Sequence, residues 1–182
     1  MTRFRVLPVV LALGGYALLA VIGQVLGYLY VRHLGNRRNM VIDMFVGRQV
    51  NPFSGGFMGD LRARGLMAWA IGLVVALVVV AGFVLLTARG GPRAVLTGGW
   101  LGSILGSAAG SLVSAIVFLP YLFRSSTAGF DQQRYIQYLS SVQHGLYYGA
   151  VAGLFVGLAA MLGALGGSPR HTDADAPPVP HR

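Results

Sequence analysis

The chain of 182 residues is 55% hydrophobic and only 10% charged, whereas soluble domains carry about 25% charged residues. All its basic residues are arginines, all its acidic residues are aspartates, and it has no cysteine. This composition indicates an integral membrane protein and excludes disulfides and cysteine-ligated metal centres. The net charge of +9 favours attraction to anionic lipid headgroups over nucleic-acid binding, because no basic face interleaved with aromatic residues is present.

Four apolar stretches match the length of about 20 residues that a membrane-spanning helix needs. They predict an all-α, polytopic fold with transmembrane helices at about 6–31, 66–87, 94–119 and 131–165. We expect residues 1–167 to form a single domain, and the proline-rich tail, residues 168–182, to be disordered. The exclusive use of Arg and Asp is typical of a GC-rich genome, so we expect the bacterial plasma membrane as the location.

Within the first predicted helix, Gln24 is expected to hydrogen-bond across to a neighbouring helix. Trp69 and Trp100 begin the second and third helices, which predicts an aromatic belt at opposite membrane interfaces. No charged residue falls inside 6–31, 66–87, 94–119 or the apolar part of the fourth helix, 145–165, which disfavours an ion-coupled transporter. His144 stands alone before the apolar part of the fourth helix, and we expect an interfacial group there and no metal site.

Glycine recurs at every fourth position in the third and fourth predicted helices. The two stripes are Gly98, Gly102, Gly106 and Gly110, and Gly145, Gly149, Gly153 and Gly157. Small residues with this spacing let two helix backbones approach closely in a membrane. We therefore predict glycine-zipper packing of these two helices on each other, or on copies and partners. Ser103, Ser107 and Ser111 run beside the first stripe, where hydrogen bonding between helices is the expected role.

The connection between the first two helices contains the most specific motif of the chain. The residues are Asp43, Phe45, Gly47, Arg48, Asn51 and Pro52, followed by Gly65, Leu66 and Trp69. In this spacing they resemble a segment of the sterol C14 and C7 reductase family, and the resemblance covers about residues 35–69. Met44, Gln49 and Arg64 differ from the family pattern, and the family's cofactor-binding half has no counterpart in this sequence.

The resemblance implies a lipid or cofactor site formed by Asp43, Arg48 and Asn51, with NADPH as the cofactor and a sterol or isoprenoid lipid as the substrate. A purely structural interpretation accounts for the same residue types. In that interpretation Asp43 pairs with Arg48 across a turn, and Asn51 ends the segment with a turn of its own. We favour the structural interpretation.

Our leading functional hypothesis is a membrane protein without a catalytic site and without a cofactor, serving as an accessory or scaffolding subunit. Its expected partners are membrane lipids and other membrane helices, in homo- or hetero-oligomers. The first alternative is an enzyme or lipid-binding relative of the sterol reductases. The second is a small pore or flippase-like oligomer in which the serines beside the first glycine stripe line a polar path.

Overall fold

The computed structural model describes residues 3–34, 60–122 and 131–166. These residues form four helices, α1 (Arg3–Leu34), α2 (Asp60–Thr87), α3 (Gly91–Leu122) and α4 (Asp131–Gly166). Each contains a stretch long and apolar enough to cross a membrane, namely Val6–Gly27, Ala63–Thr87, Gly91–Tyr121 and Tyr135–Gly166. The chain is a multi-pass membrane protein that is all-α in its described part, and this prediction from the sequence is confirmed.

The helices are longer than the sequence predicts. α2 begins at Asp60, inside the predicted polar connection, and α3 continues through Pro120 to Leu122. Backbone N–H and C=O groups near a bilayer must find partners within the chain, so continuing a helix is favoured over opening a loop. The polar flanks of the apolar stretches therefore extend the helices.

The helices form an antiparallel ring in the order α1, α2, α3, α4, in which α3 packs most extensively on α4 and then on α2. A tight turn joins α2 to α3, closed by a 2.9 Å bond from the Gly90 N–H to the Thr87 carbonyl oxygen. Gly91 follows with φ = 84°, a conformation that favours glycine. We call this the turn end of the bundle. The opposite end, where Leu34, Asp60, Leu122 and Asp131 lie, is the loop end.

The glycine stripe of α4 lies against the backbone of α3. A methyl carbon at Gly149 would be 2.5 Å from the Ser103 carbonyl oxygen, and one at Gly157 would be 2.6 Å from the Leu96 carbonyl oxygen. Each glycine therefore occupies space that no larger residue can share. The expected close approach of α3 and α4 is present, and on the α4 side it depends on these glycines.

The glycine stripe of α3 lies against a different helix, α2. A methyl carbon at Gly106 would be 2.8 Å from the Ala76 carbonyl oxygen, and one at Gly102 would be 2.9 Å from Cβ of Phe83. The two stripes therefore do not face each other, and a zipper of one stripe on the other is not confirmed. α3 carries small residues on two faces, the glycine stripe toward α2 and Ser103 and Ser107 toward α4, so it packs closely on both neighbours.

Candidate functional site

A pocket of about 240 Å³ opens inside the bundle. All four helices contribute to its wall, and the contributing residues lie in the halves of the helices nearer the loop end: residues 16–24 of α1, 69–76 of α2, 107–115 of α3 and 136–148 of α4. For comparison, an engineered cavity of about 150 Å³ holds a benzene molecule. The pocket is therefore large enough for a small molecule or a lipid headgroup.

Three hydroxyl groups lie at the inner end of the pocket, near the middle of the bundle. The hydroxyls of Tyr16 and Ser107 share a buried hydrogen bond of 2.7 Å. The ring of Tyr148 stands edge-on to that of Tyr16, with centroids 6.5 Å apart and an angle of 85° between the planes, an arrangement that aromatic pairs prefer. We call these three residues the pocket floor.

The hydroxyl oxygen of Tyr148 is buried and has no hydrogen-bond partner within the described ranges. Its ring packs beside Gly23 of α1, where an added methyl carbon would lie 3.4 Å from Cε2 of the ring, at van der Waals distance. A buried hydroxyl without a partner is uncommon in native structures, because the lost solvation costs about 1–3 kcal/mol. The floor therefore has one hydroxyl pair that is satisfied internally and one hydroxyl that is not.

α3 supplies a column of serines to the pocket, Ser107, Ser111 and Ser114. The Ser114 hydroxyl donates to the Ala68 carbonyl oxygen of α2 over 3.0 Å and so joins the two helices near the loop end. Ser103, one turn deeper, is fully buried and donates to the Gly99 carbonyl oxygen of its own helix. The column that faces the pocket thus ends at Ser107, and Ser103 belongs to the packed contact with α4.

The mouth of the pocket is formed by the polar first section of α4, including Gln137, Ser140, Ser141 and His144. Nδ1 of His144 lies 2.6 Å from the Ser140 carbonyl oxygen. A carbonyl oxygen only accepts hydrogen bonds, so Nδ1 carries a proton and, in the neutral ring, Nε2 is left as an acceptor. His144 is half-buried, and its ring is oriented by its own helix.

No aspartate, glutamate, lysine or arginine is among the described residues that line the pocket. At the loop end, the guanidinium carbon of Arg64 lies 4.2 Å from the ring centre of Tyr121. This cation–π contact joins α2 to α3. Across the described ranges, no three potential metal ligands come together. The polar surface of the pocket is thus made of hydroxyl, amide and imidazole groups.

The sequence-predicted site residues have different outcomes. Asp43, Arg48 and Asn51 lie outside the described residues, so the predicted loop site stays a prediction. Gln24, expected to hydrogen-bond to a neighbouring helix, and His144, expected to be an interfacial group, both line the pocket, and Gln24 is buried with 6% of its surface exposed. Ser107 makes the predicted type of bond between helices.

Sequence reasoning missed the two tyrosines of the floor and the role of Trp69, which lines the pocket. A signal for Tyr16 was present, because a tyrosine in the middle of an apolar span needs a partner for its hydroxyl. The indole N–H of Trp100, expected at the membrane interface, donates to the Ala150 carbonyl oxygen of α4 over 2.9 Å.

Comparison of the chain with protein-family models, curated proteins and solved structures gave no match. The resemblance to the sterol reductases therefore stays a prediction.

Proposed function

We propose that this protein is a multi-pass membrane protein of the bacterial plasma membrane that binds an uncharged polar ligand in the pocket between its four helices. The ligand is either a small molecule or the headgroup of a lipid. The observation that supports the proposal is the pocket itself, which carries polar side chains from all four helices and no described aspartate, glutamate, lysine or arginine. The protein has no catalytic role in this proposal and needs no cofactor.

The physical argument rests on the surroundings of the pocket. Hydroxyl and amide groups inside a membrane lower stability unless they are hydrogen-bonded, because lipid offers no partners. A bundle that only had to pack would fill this space with apolar side chains, as the turn end does with Val80, Val84 and Val156, all fully buried. A retained polar pocket is consistent with a function that uses it.

An accessory or scaffolding role in a larger membrane assembly is compatible with this proposal. The glycine stripes give it less support than the sequence suggested, because Gly98, Gly102, Gly149 and Gly153 are buried against helices of the same chain and are not exposed to a partner. The pore alternative has less support as well, since the serine column faces the pocket only as far as Ser107. NADPH remains relevant only to the reductase-like alternative.

The test compares two alanine-to-phenylalanine variants. Ala20 lines the pocket on α1, whereas Ala70 on α2 is exposed on the outer surface and does not line it. The parent protein, Ala20→Phe and Ala70→Phe are purified in lipid nanodiscs, and the molecules that copurify are identified by mass spectrometry. We expect at least one uncharged polar molecule or lipid to be retained by the parent and by Ala70→Phe and lost from Ala20→Phe. Identical sets of molecules from all three proteins would contradict the proposal.

A further inference from the structure

The Tyr148 hydroxyl, which has no hydrogen-bond partner among the described residues, supports an inference about the chemistry of the ligand. This inference rests on the proposed binding function. We infer that the pocket takes an uncharged polyol, such as a hexose, free or as the headgroup of a glycolipid, and that Tyr148 donates a hydrogen bond to its innermost oxygen. Three observations lead to this chemistry: the state of the Tyr148 hydroxyl, the charges around the pocket and the distribution of its polar groups.

The first observation identifies a donor that the protein does not use. Tyr16 and Ser107 satisfy each other, while the Tyr148 hydroxyl is buried, lines the pocket and has no partner among the described residues. A phenol both donates and accepts. An oxygen of a bound ligand at the floor would accept its proton, and if that oxygen is a hydroxyl it can also donate back to the floor.

The second observation concerns charge. A phosphate or carboxylate moved into this pocket would lose its hydration without meeting a described cation, and burying an unpaired charge is strongly unfavourable. Arg64, a basic side chain at this end of the bundle, lies over Tyr121 and is not among the described residues that line the pocket. The pocket therefore favours an uncharged ligand or lipid headgroup over an anionic one.

The third observation distinguishes a polyol from a simple alcohol. Polar lining residues extend along α3 from Ser107 to Ser114 and along α4 from Gln137 to Tyr148. At 1.5 Å per residue, the serine column alone covers about 10 Å of the pocket. A ligand with one hydroxyl would place methylene groups against most of these side chains, whereas a polyol has oxygens along its whole length. Trp69, which also lines the pocket, offers an aromatic surface for the C–H groups of a sugar ring.

The experiment uses the full-length protein in phosphatidylcholine nanodiscs and four probes. They are a monoglucosyl diacylglycerol, diacylglycerol itself, phosphatidic acid with the same acyl chains, and free methyl glucoside. Binding is measured by native mass spectrometry and by the shift in unfolding temperature. We expect the glucosyl lipid or methyl glucoside to bind more tightly than diacylglycerol and phosphatidic acid. Binding of methyl glucoside equal to that of the glycolipid identifies a free polyol as the ligand, and a preference for the glycolipid identifies a headgroup; both outcomes support the inference.

The diagnostic variant is Tyr148→Phe, and its matched control is Tyr147→Phe, which removes a hydroxyl from an exposed neighbour that does not line the pocket. Loss of one hydrogen bond to a neutral ligand should weaken polyol binding about three- to tenfold in Tyr148→Phe and leave it unchanged in Tyr147→Phe. Without ligand, Tyr148→Phe should unfold at the same or a higher temperature than the parent, because it removes an unsatisfied hydroxyl. A hydroxyl that serves only the structure would lower that temperature.

The outcomes separate this inference from the proposed function. Equal polyol binding by the two tyrosine variants, or tighter binding of phosphatidic acid than of the glycolipid, overturns the inference even if Ala20→Phe still removes a copurifying molecule. If no probe binds and Ala20→Phe changes nothing, both proposals are wrong. A higher unfolding temperature for Tyr148→Phe without binding of any polyol means that the hydroxyl is unsatisfied but does not serve polyol binding, which also overturns the inference.

Discussion

Tyr16 of α1 and Ser107 of α3 share a 2.7 Å hydrogen bond although they are 91 positions apart in the sequence. These two helices are diagonal partners in the bundle and contact each other far less than either contacts α4. Both side chains are buried, each with 3% of its surface exposed. The bond therefore fixes the position of α1 relative to α3, which packing alone leaves weakly determined.

The Tyr16–Ser107 bond should be measurable in a double-mutant cycle of Tyr16→Phe and Ser107→Ala. Each single variant leaves one hydroxyl without its partner, so we expect a loss of about 1 kcal/mol in the free energy of unfolding from each. The double variant should lose less than the sum, with a coupling energy of about 0.6–1.7 kcal/mol, as for hydrogen bonds in other membrane proteins. Strictly additive losses in detergent unfolding would show that the two hydroxyls do not interact.

The close contact of α4 with α3 predicts opposite effects for one substitution at two glycines. A methyl group at Gly149 would lie 2.6 Å from Cα of Ile104, a backbone atom that cannot move without moving α3. Gly149→Ala should therefore destabilise the protein by about 1–3 kcal/mol. Gly82 of α2 has no neighbour within 4 Å of such a group, and Gly82→Ala should stabilise α2 by about 0.5–1 kcal/mol. Thermal unfolding in detergent compares them, and equal stability would contradict the packing described for α4.

Trp100 provides a third measurable contact between α3 and α4. Its indole N–H donates to the Ala150 carbonyl oxygen over 2.9 Å, and phenylalanine at this position keeps an aromatic ring but no donor. We expect Trp100→Phe to lower the free energy of unfolding by about 1 kcal/mol for the hydrogen bond, plus a packing loss for the smaller ring.

Trp69→Phe is the matched control, because Trp69 borders the pocket and its indole has no hydrogen bond within the part of the chain that the structure describes. A larger loss of stability for Trp69→Phe than for Trp100→Phe would argue against the assigned bond. An unchanged free energy of unfolding in Trp100→Phe would also argue against the hydrogen bond between Trp100 and the Ala150 carbonyl oxygen.

The sequence was sufficient to predict the helices because an apolar run of about 20 residues has a single physical solution in a bilayer. It also located the small residues of α3 and α4. It did not reveal which neighbouring helix each stripe contacts. The spacing around Gly106 allows close packing against either α2 or α4, and only the folded bundle shows which of the two is used. The pocket was harder to predict than the packing, because Tyr16, Ser107 and Tyr148 come from three different helices. Nothing in the local sequence around each residue indicates that the three lie together.

The absence of cysteine from the chain makes single introduced thiols specific reporters of water access. Ser111 borders the pocket, whereas Ser103 is fully buried between α3 and α4. A membrane-impermeant thiol reagent reaches a cysteine only through water, and its rate depends on that access. Ser111→Cys should therefore react about tenfold faster or more than Ser103→Cys in intact vesicles.

Arg89→Cys is the aqueous control, because Arg89 is exposed in the turn end of the bundle. The residues that line the pocket lie mainly in the half of the bundle nearer the loop end, so Ser111→Cys and Arg89→Cys should react from opposite sides of the membrane. In a pore, the polar path would continue past Ser107, and Ser103→Cys would become reactive from either side. Fast labelling of Ser103→Cys would therefore favour the pore alternative over a closed pocket, whereas its protection together with one-sided labelling of Ser111→Cys is what a binding pocket requires.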